Sequence, residues 1–393
     1  MDIHPRDWDS SLIYDVTIIG GGLAGSVLAT LLSKEKMSVA LVEPRNVYPE
    51  CFKAEKLEPD QWQLLEKHGL LNLVLPVCER IDAVQLASAG NIHGAVSITQ
   101  YGYLYHNLVN AVGSQLRNKL SVFRCKAVGI EVSDDVQTVS LSDHPEIRSR
   151  LIVVATGRFG KIHSQLGLVK KMISRQHSFN FGFNIDNPSR PLSFDSLTYH
   201  ASEMRSGVDY VTLFKVPNAM RGNLFTYWKP NSEHIRSFSS KPKETLLESM
   251  AGLVKVLGDF EIEPKIERFS IDLYAAKNLR TPGVVFIGDA FQSVCPATGT
   301  GLSKVFTDVD VLLRCIMNEW MGTPGMSAKK IASFYQDPRK QEEDRHSLNA
   351  AIRRRRVAVE VSDLSFKTAQ FRHKLKMRKN CRRSEKLIGA VAN

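Results

Sequence analysis

The stretch that decides the fold is "YDVTIIGGGLAGSVLATLLSKEKMSVALVEPR", residues 14–45. "DVTIIG" reads as a strand buried on both faces, "LAGSVLATLLSKE" as a helix and "SVALVE" as a second buried strand. Connections this short between strand, helix and strand imply neighbouring parallel strands. Gly20-Gly21-Gly22-Leu23-Ala24-Gly25 places G-x-G-x-x-G in the first turn. Gly20 permits the tight turn, Gly22 lets a pyrophosphate approach the backbone, and Gly25 lets helix and strand pack closely. The N–H groups and dipole of the helix start then favour an anion. Glu43 ends the second strand, 18 residues after Gly25, where an acid accepts from ribose hydroxyls. The pattern predicts dinucleotide binding; a glycine turn serving structure alone is the competing reading.

Outward from this unit, 393 residues with 43% hydrophobic and 24% charged residues describe a structured chain large enough for more than one core. No apolar run approaches the length of a membrane-spanning helix, and "MDIHPRDWDSSLIYDV" lacks the regions of a secretory signal. Cys51, Cys78, Cys125, Cys295, Cys315 and Cys381 include no C-x-x-C pair. That argues against a zinc site or a disulfide framework and predicts a cytoplasmic protein without metal. Charge is uneven. Residues 345–393 hold 14 Lys+Arg and 3 Asp+Glu, a net +11 equal to that of the whole chain, so residues 1–344 are neutral.

Helices are expected at 57–68, 103–118, 303–321 and 327–358, and over "PKETLLESMAGLVKVL". "RLIVVATGRFG" returns to a buried strand. "SFNFGFNI" then alternates, with Phe179, Phe181, Phe183 and Ile185 on one face. "DYVTLFKVPNAMRGNLFTYW" predicts two more strands joined at Pro217–Gly222. An antiparallel sheet therefore interrupts the parallel one.

"GVVFIGDAFQSVCPATGTGLS", residues 283–303, follows a buried strand with Asp289 and a loop of glycine and proline. Gly288-Asp289, Pro296, Gly299 and Gly301 match G-D-x-x-x-x-x-x-P-x-x-G-x-G. Together with the amino-terminal glycines, over residues 12–320, the chain resembles the class A FAD-dependent monooxygenases, the para-hydroxybenzoate hydroxylase-like family. The resemblance implies an α/β fold: a Rossmann-type FAD-binding domain with an inserted antiparallel β-sheet substrate domain and C-terminal helices. It divides the chain into a discontinuous FAD-binding domain (12–75, 101–168 and 270–322), a substrate domain (76–100 and 169–269) and a basic helical extension (323–393). It also implies that Asp289 accepts from a ribityl hydroxyl, and that Pro296, Gly299, Thr300, Gly301 and Leu302 lie against the isoalloxazine. Gly20, Gly22, Leu23, Ala24, Gly25 and Glu43 would hold the other end. Lys53, where relatives place an arginine, becomes a candidate phosphate contact, with a solvated lysine as the alternative. The implied chemistry is transfer of one oxygen atom from O2 to a small hydrophobic or aromatic substrate through a flavin C4a-hydroperoxide, with NADPH or NADH as transient reductant. The Pro296 loop would border the peroxide site, and no catalytic side chain is assigned.

Departures qualify this. Thr156-Gly157-Arg158 stands where the family carries Asp-Gly, as in the related flavin halogenases and geranylgeranyl reductases. Gln292 replaces a usual histidine, and Tyr105-His106-Asn107 stands where many relatives have an arginine. The halogenase W-x-W-x-I-P signature is absent, and "TYWKP" at 226–230 faintly resembles a reductase motif. A flavin-dependent reductase or dehydrogenase acting on a substrate double bond, or a flavin-bound non-catalytic effector, are the rival readings. Tyr210, Phe225, Tyr227 and Trp228 are expected to contact substrate, with core packing as the alternative for each. His177, His200 and His234 are candidate bases. The basic tail, with "RRRR" at 353–356 and "RHKLKMRKNCRRSEK" at 372–386, suits a solvated end, an acidic carrier protein or an anionic membrane surface. Its scarcity of aromatics argues against nucleic acid.

Overall fold

The computed structural model describes residues 11–35, 37–116, 120–158, 160–186, 192–202 and 206–360. Its first sheet is built on the parallel strands Ser121–Phe123, Val39–Val42, Ile13–Ile19 and Ile147–Val154, in that order, with Val284–Phe286 also pairing on Ile147–Val154. Gln137–Leu141 and Ala127–Glu131 extend it antiparallel. The glycine turn leads from Ile13–Ile19 into the helix Leu23–Leu32, which is buried along almost its whole length. This all-round burial explains why "LAGSVLATLL" carries no charge: the helix is covered by the sheet on one side and by the helices Tyr105–Gly113 and Gly301–Cys315 on others.

The second sheet has nine strands. Its order is Glu261–Ile262, Val169–Asp186, Ala219–Thr226, Val208–Val216, Ser196–His200, Cys78–Ser88, Asn91–Tyr103 and Lys56–Leu57, with Glu267–Lys277 also on Val169–Asp186. It therefore draws on residues 56–57, 101–103 and 270–277, which the sequence reading assigned to the cofactor domain. The turn between Val208–Val216 and Ala219–Thr226 is tighter than expected: two residues, with Asn218 at φ +64°. Phe181 and Phe183 pack against Phe238 of the helix Glu233–Ser240. The alternating aromatic face of residues 179–185 thus forms core beneath a helical layer. The helix expected over 242–257 is two, Pro242–Ser249 and Leu253–Leu257, separated where Gly252 takes φ +79°. Pro338 likewise divides Ala328–Gln336 from the C-terminal helix Pro338–Val359.

That last helix is docked. Lys340 is fully buried and meets Asp308 at 2.6 Å and Asp344 at 3.1 Å; Lys304 meets Asp308 at 2.9 Å and Asp344 at 3.3 Å. Asp308 also accepts from Gly288 N at 2.8 Å. Burial pushes the Asp308 carboxyl up, but the two lysines outweigh it and hold it below its ordinary range. Three of the four arginines at 353–356 have partners as well: Arg354 pairs with Asp209 at 2.8 Å, Arg355 donates to the carbonyls of Gln176 and His177, and Arg356 lies 3.9 Å from Glu360 on its own helix. Part of this run is therefore engaged by the protein itself. Residues 361–393, including the second basic run at 372–386, lie outside the described residues. No helix among the described residues is long and apolar enough to cross a membrane.

Candidate functional site

A crevice of about 320 Å³ follows the glycine turn, lined by Gly20, Gly22, Leu23, Ala24, Glu43 and Lys53 among others. Gly20 has φ +106°, and a Cβ there would lie 2.7 Å from Ala155 O; one on Gly25 would lie 1.9 Å from Gly20 O. Around Gly22 the space is open, the nearest atom to an added Cβ being 3.9 Å away on Tyr48. The turn is closed on its protein side and open toward the crevice, the shape that admits a pyrophosphate. Glu43 is 5% exposed and accepts from Gly21 N at 2.7 Å, Arg45 N at 3.0 Å, and Arg45 Nε and Nη2 at 2.6 and 2.9 Å. Burial raises its pKa, but the bonds from Arg45 and Gly21 win and hold it low.

Asp289 lies where the crevice meets a second cavity of about 630 Å³; Leu23, Lys53, Tyr105, Asp289 and Val305 line both. Pro296, Gly299, Thr300, Gly301 and Leu302 line the larger space. Gly299 takes φ +70°, and an added Cβ on either Gly299 or Gly301 would meet nothing within 4 Å. Lys53 Nζ stands 5.2 Å from the Tyr105 ring centroid. The two motifs, more than 260 residues apart in sequence, therefore border one groove. Thr156 and Gly157 line its crevice end. Gln292 does not face it: its amide donates to Asp344 O at 3.0 Å and helps dock the C-terminal helix.

The floor of the larger cavity is one face of the second sheet, in three rows set by strand register. Phe225, Tyr210 and His200 are cross-strand partners in the first. Asn223, Thr212, Thr198 and Leu86 make the second. Phe214 and the pair Val84–Val96 occupy the third, with Ile98 and Gln100 beyond. Of the four expected substrate contacts, Tyr210 and Phe225 line the cavity. Tyr227 and Trp228 do not: they follow the end of Ala219–Thr226, where the alternation of the strand lapses. Tyr227 packs on His177, and Trp228 stacks on His234 at 5.1 Å while donating to Ser206 O at 3.0 Å. His200 alone of the three candidate bases lines the cavity; burial and the nearby Arg355 push His177 down to about 4.

Several cavity residues escaped the sequence reading. Val84, Leu86, Val96, Ile98 and Gln100 had a signal, the period-two alternation in "AVQLAS" and "AVSITQ". Glu343, His346 and Arg354 of the C-terminal helix also line the cavity, sharing one helical face. Arg354 lies 4.7 Å over the Tyr210 ring, whose hydroxyl donates to Ala297 O at 2.9 Å. Only docking brings that face to the cavity, and local sequence does not encode it. Glu55 lines the cavity too, bound by Arg221 at 2.7 and 3.0 Å; burial pushes it up to about 7 against the pull of that arginine.

Comparison with known proteins agrees with this geometry. The FAD binding domain family matches residues 13–327. Squalene epoxidase 3 of Arabidopsis thaliana is 24% identical over 82% of this chain and 63% of its own length. The digeranylgeranylglycerophospholipid reductase of Methanosarcina acetivorans is 20% identical over 89% of this chain and 86% of its own. The chain thus spans about six-tenths of the squalene epoxidase it matches. The crystal structure of p-nitrophenol 4-monooxygenase PnpA from Pseudomonas putida superimposes with TM-score 0.76 at 18% identity, covering 95% of this chain and 98% of that one, and shares its fold. With four-fifths of its residues inside the family match, the chain belongs to the FAD binding domain family of class A flavin monooxygenases.

Proposed function

We propose that the protein is an FAD-dependent monooxygenase that places one oxygen atom from O2 into a small hydrophobic or aromatic substrate held on the second sheet. The observation that carries this is the groove itself: a glycine-lined crevice abutting, at Asp289, a chamber whose floor sets aromatic and aliphatic side chains on either side of the polar row Asn223, Thr212 and Thr198. The residues present fit the cofactor. Gly22 and the first turn of Leu23–Leu32 would take the pyrophosphate, Glu43 the ribose, Asp289 the ribityl chain, and the open Pro296–Leu302 loop the ring. Arg45, whose side chain is 45% exposed, is free to leave Glu43 as ribose arrives. FAD bound there would supply the redox chemistry, with NADPH or NADH as reductant and O2 as oxidant. The protein binds, orients and keeps water away: Phe225, Tyr210, Val84 and Val96 offer an apolar floor, and the docked C-terminal helix closes one side.

A reductase acting on a substrate double bond is the second reading, favoured by Thr156-Gly157-Arg158 and by the named activity of the archaeal relative. One experiment separates them. Reduce the FAD-loaded protein anaerobically with NADPH or NADH, admit oxygen with candidate apolar substrates, and weigh the products. Addition of one oxygen atom supports the monooxygenase, addition of two hydrogens the reductase; a protein that is neither reduced nor turns over defeats both.

A further inference from the structure

The chamber meets a second space besides the crevice. Asp60, Ser303 and Glu343 line both the chamber and an outer cleft of about 470 Å³. The chamber is open to solvent here: among the described residues that line it, the exposed ones are Asp60, Gly299 and His346. All three sit at this junction. Gln61 Nε2 donates to Gly299 O and to Ser303 Oγ, both at 3.0 Å, and Ser303 Oγ donates to Asp60 Oδ2 at 2.7 Å. His346 follows Glu343 by one helical turn. The opening lies between the helices Pro59–Lys67 and Pro338–Val359, which no hydrogen bond or ion pair joins directly among the described residues. Each is tied instead to Gly301–Cys315, where Asp310 takes Lys67 at 2.8 Å and also Arg339. Lys340 and Arg354 hold the C-terminal helix on either side of Glu343 and His346. A body passing the gap therefore parts no bond between the two helices.

The gap is also negatively charged. Asp60 accepts from Ser303 and Glu343 from Ser347 Oγ at 3.2 Å, and among the described residues neither pairs with a lysine or arginine. Nearby cations are already taken, Lys67 and Arg339 by Asp310, and Lys304 by Asp308 and Asp344. Burial and the nearby Asp60 charge push the Glu343 carboxyl up against the pull of Ser347 and His346, the mark of two like charges near one another. Such a pair repels an incoming anion and leaves a neutral molecule unopposed.

We propose that this gap is the doorway by which substrate enters the chamber, and that Asp60 and Glu343 make it a charge filter, passing neutral apolar molecules and slowing anionic ones. This rests on reading the chamber as the substrate site and adds how it is reached and what it refuses. The other junction, at Asp289, is where the cofactor would lie, which leaves this one for substrate. A doorway differs from a binding residue in one respect: obstructing it slows entry and exit alike, so the affinity stays where it was. Charge at a rim likewise acts on the rate of encounter more than on the final complex.

Stopped-flow mixing of the FAD-loaded protein with para-butylphenol and, separately, para-butylbenzoate, followed by flavin absorbance, tests this. Glu343→Trp should slow association and dissociation of the phenol about tenfold each, with Kd within about twofold of native and FAD content unchanged. Asp60→Trp, on the facing helix, repeats the test should that variant fail to fold. Asp60→Asn combined with Glu343→Gln should speed benzoate entry about tenfold at low salt, less as salt rises, and leave the phenol rate alone. Phenol rates at the native level in both tryptophan variants, or a Kd that moves as far as the rates, overturn the doorway. Benzoate entry no faster in the paired variant overturns the filter. A native protein whose flavin the phenol does not disturb defeats the reading of the chamber instead. If the chain takes up no FAD, the functional reading fails, and tryptophan fluorescence on the same mixing still tests the doorway.

Discussion

Two glycine loops border the groove, and they need their glycines for different reasons. In the first, Cβ atoms on Gly20 and Gly25 would strike backbone at 2.7 and 1.9 Å; the protein itself forbids side chains there. In the second, Gly299 and Gly301 have nothing within 4 Å of an added Cβ. Gly299 is explained by its φ of +70°. Gly301 begins the helix Gly301–Cys315 in open space with no positive φ, so packing alone leaves it unexplained. The first loop is glycine-rich so that the fold can close, the second so that something else can enter.

If the second loop is held by buried charge rather than by its glycines, the largest loss of stability should come from Asp308. Asp308→Ala leaves Lys304 and Lys340 buried with Asp344 as their remaining counter-charge and frees Gly288 N–H. A loss of about 3–5 kcal/mol is expected in urea unfolding, and an unchanged midpoint would show the buried charges to be incidental. Next is Gly25→Ala, expected to cost about 1–3 kcal/mol through forced separation of helix and turn. Full stability in the apoprotein would erase the contrast between the loops. Gly301→Ala should leave apoprotein stability within about 0.5 kcal/mol of native while weakening FAD about tenfold, or about 1.4 kcal/mol, read by fluorescence quenching on titration. Unchanged affinity would leave the second loop without its reason.

A last expected effect is one of slope rather than of midpoint. Glu43 and Glu55 sit on opposite halves of the groove; protein hydrogen bonds hold the first low, while burial raises the second from 4.5 to about 7. A carboxyl raised on folding retains its proton where the unfolded chain has lost it, so native stability declines as pH rises from about 4.5 to 7. Glu55→Gln should flatten that decline in denaturation curves between these limits. A slope identical to native would place the raised group elsewhere.

The first loop was legible because its requirements are local: strand, turn, helix and strand are contiguous, and each glycine answers to a neighbour within the same unit. Asp289 and the loop after it were legible only through resemblance, since no local rule pairs residue 289 with residue 22. The chamber was half legible. Tyr210 and Phe225 follow strand alternation into the cavity, but Tyr227 and Trp228 lie past the strand end, where that periodicity no longer fixes direction. Residues 179–185 alternate as expected, but periodicity separates two faces without saying which is covered by a helix, and packing on Phe238 decides that.

Sequence by itself determined the parallel unit, its glycine turn and the charge imbalance between body and tail, all properties of residues near one another in the chain. Tertiary structure alone decided that Asp289 joins the two cavities, that Asp60, Ser303 and Glu343 border a second opening, and that part of the basic helix closes the chamber. Those outcomes depend on long-range docking, above all on four charges from two helices that are tolerable in the interior only when brought together.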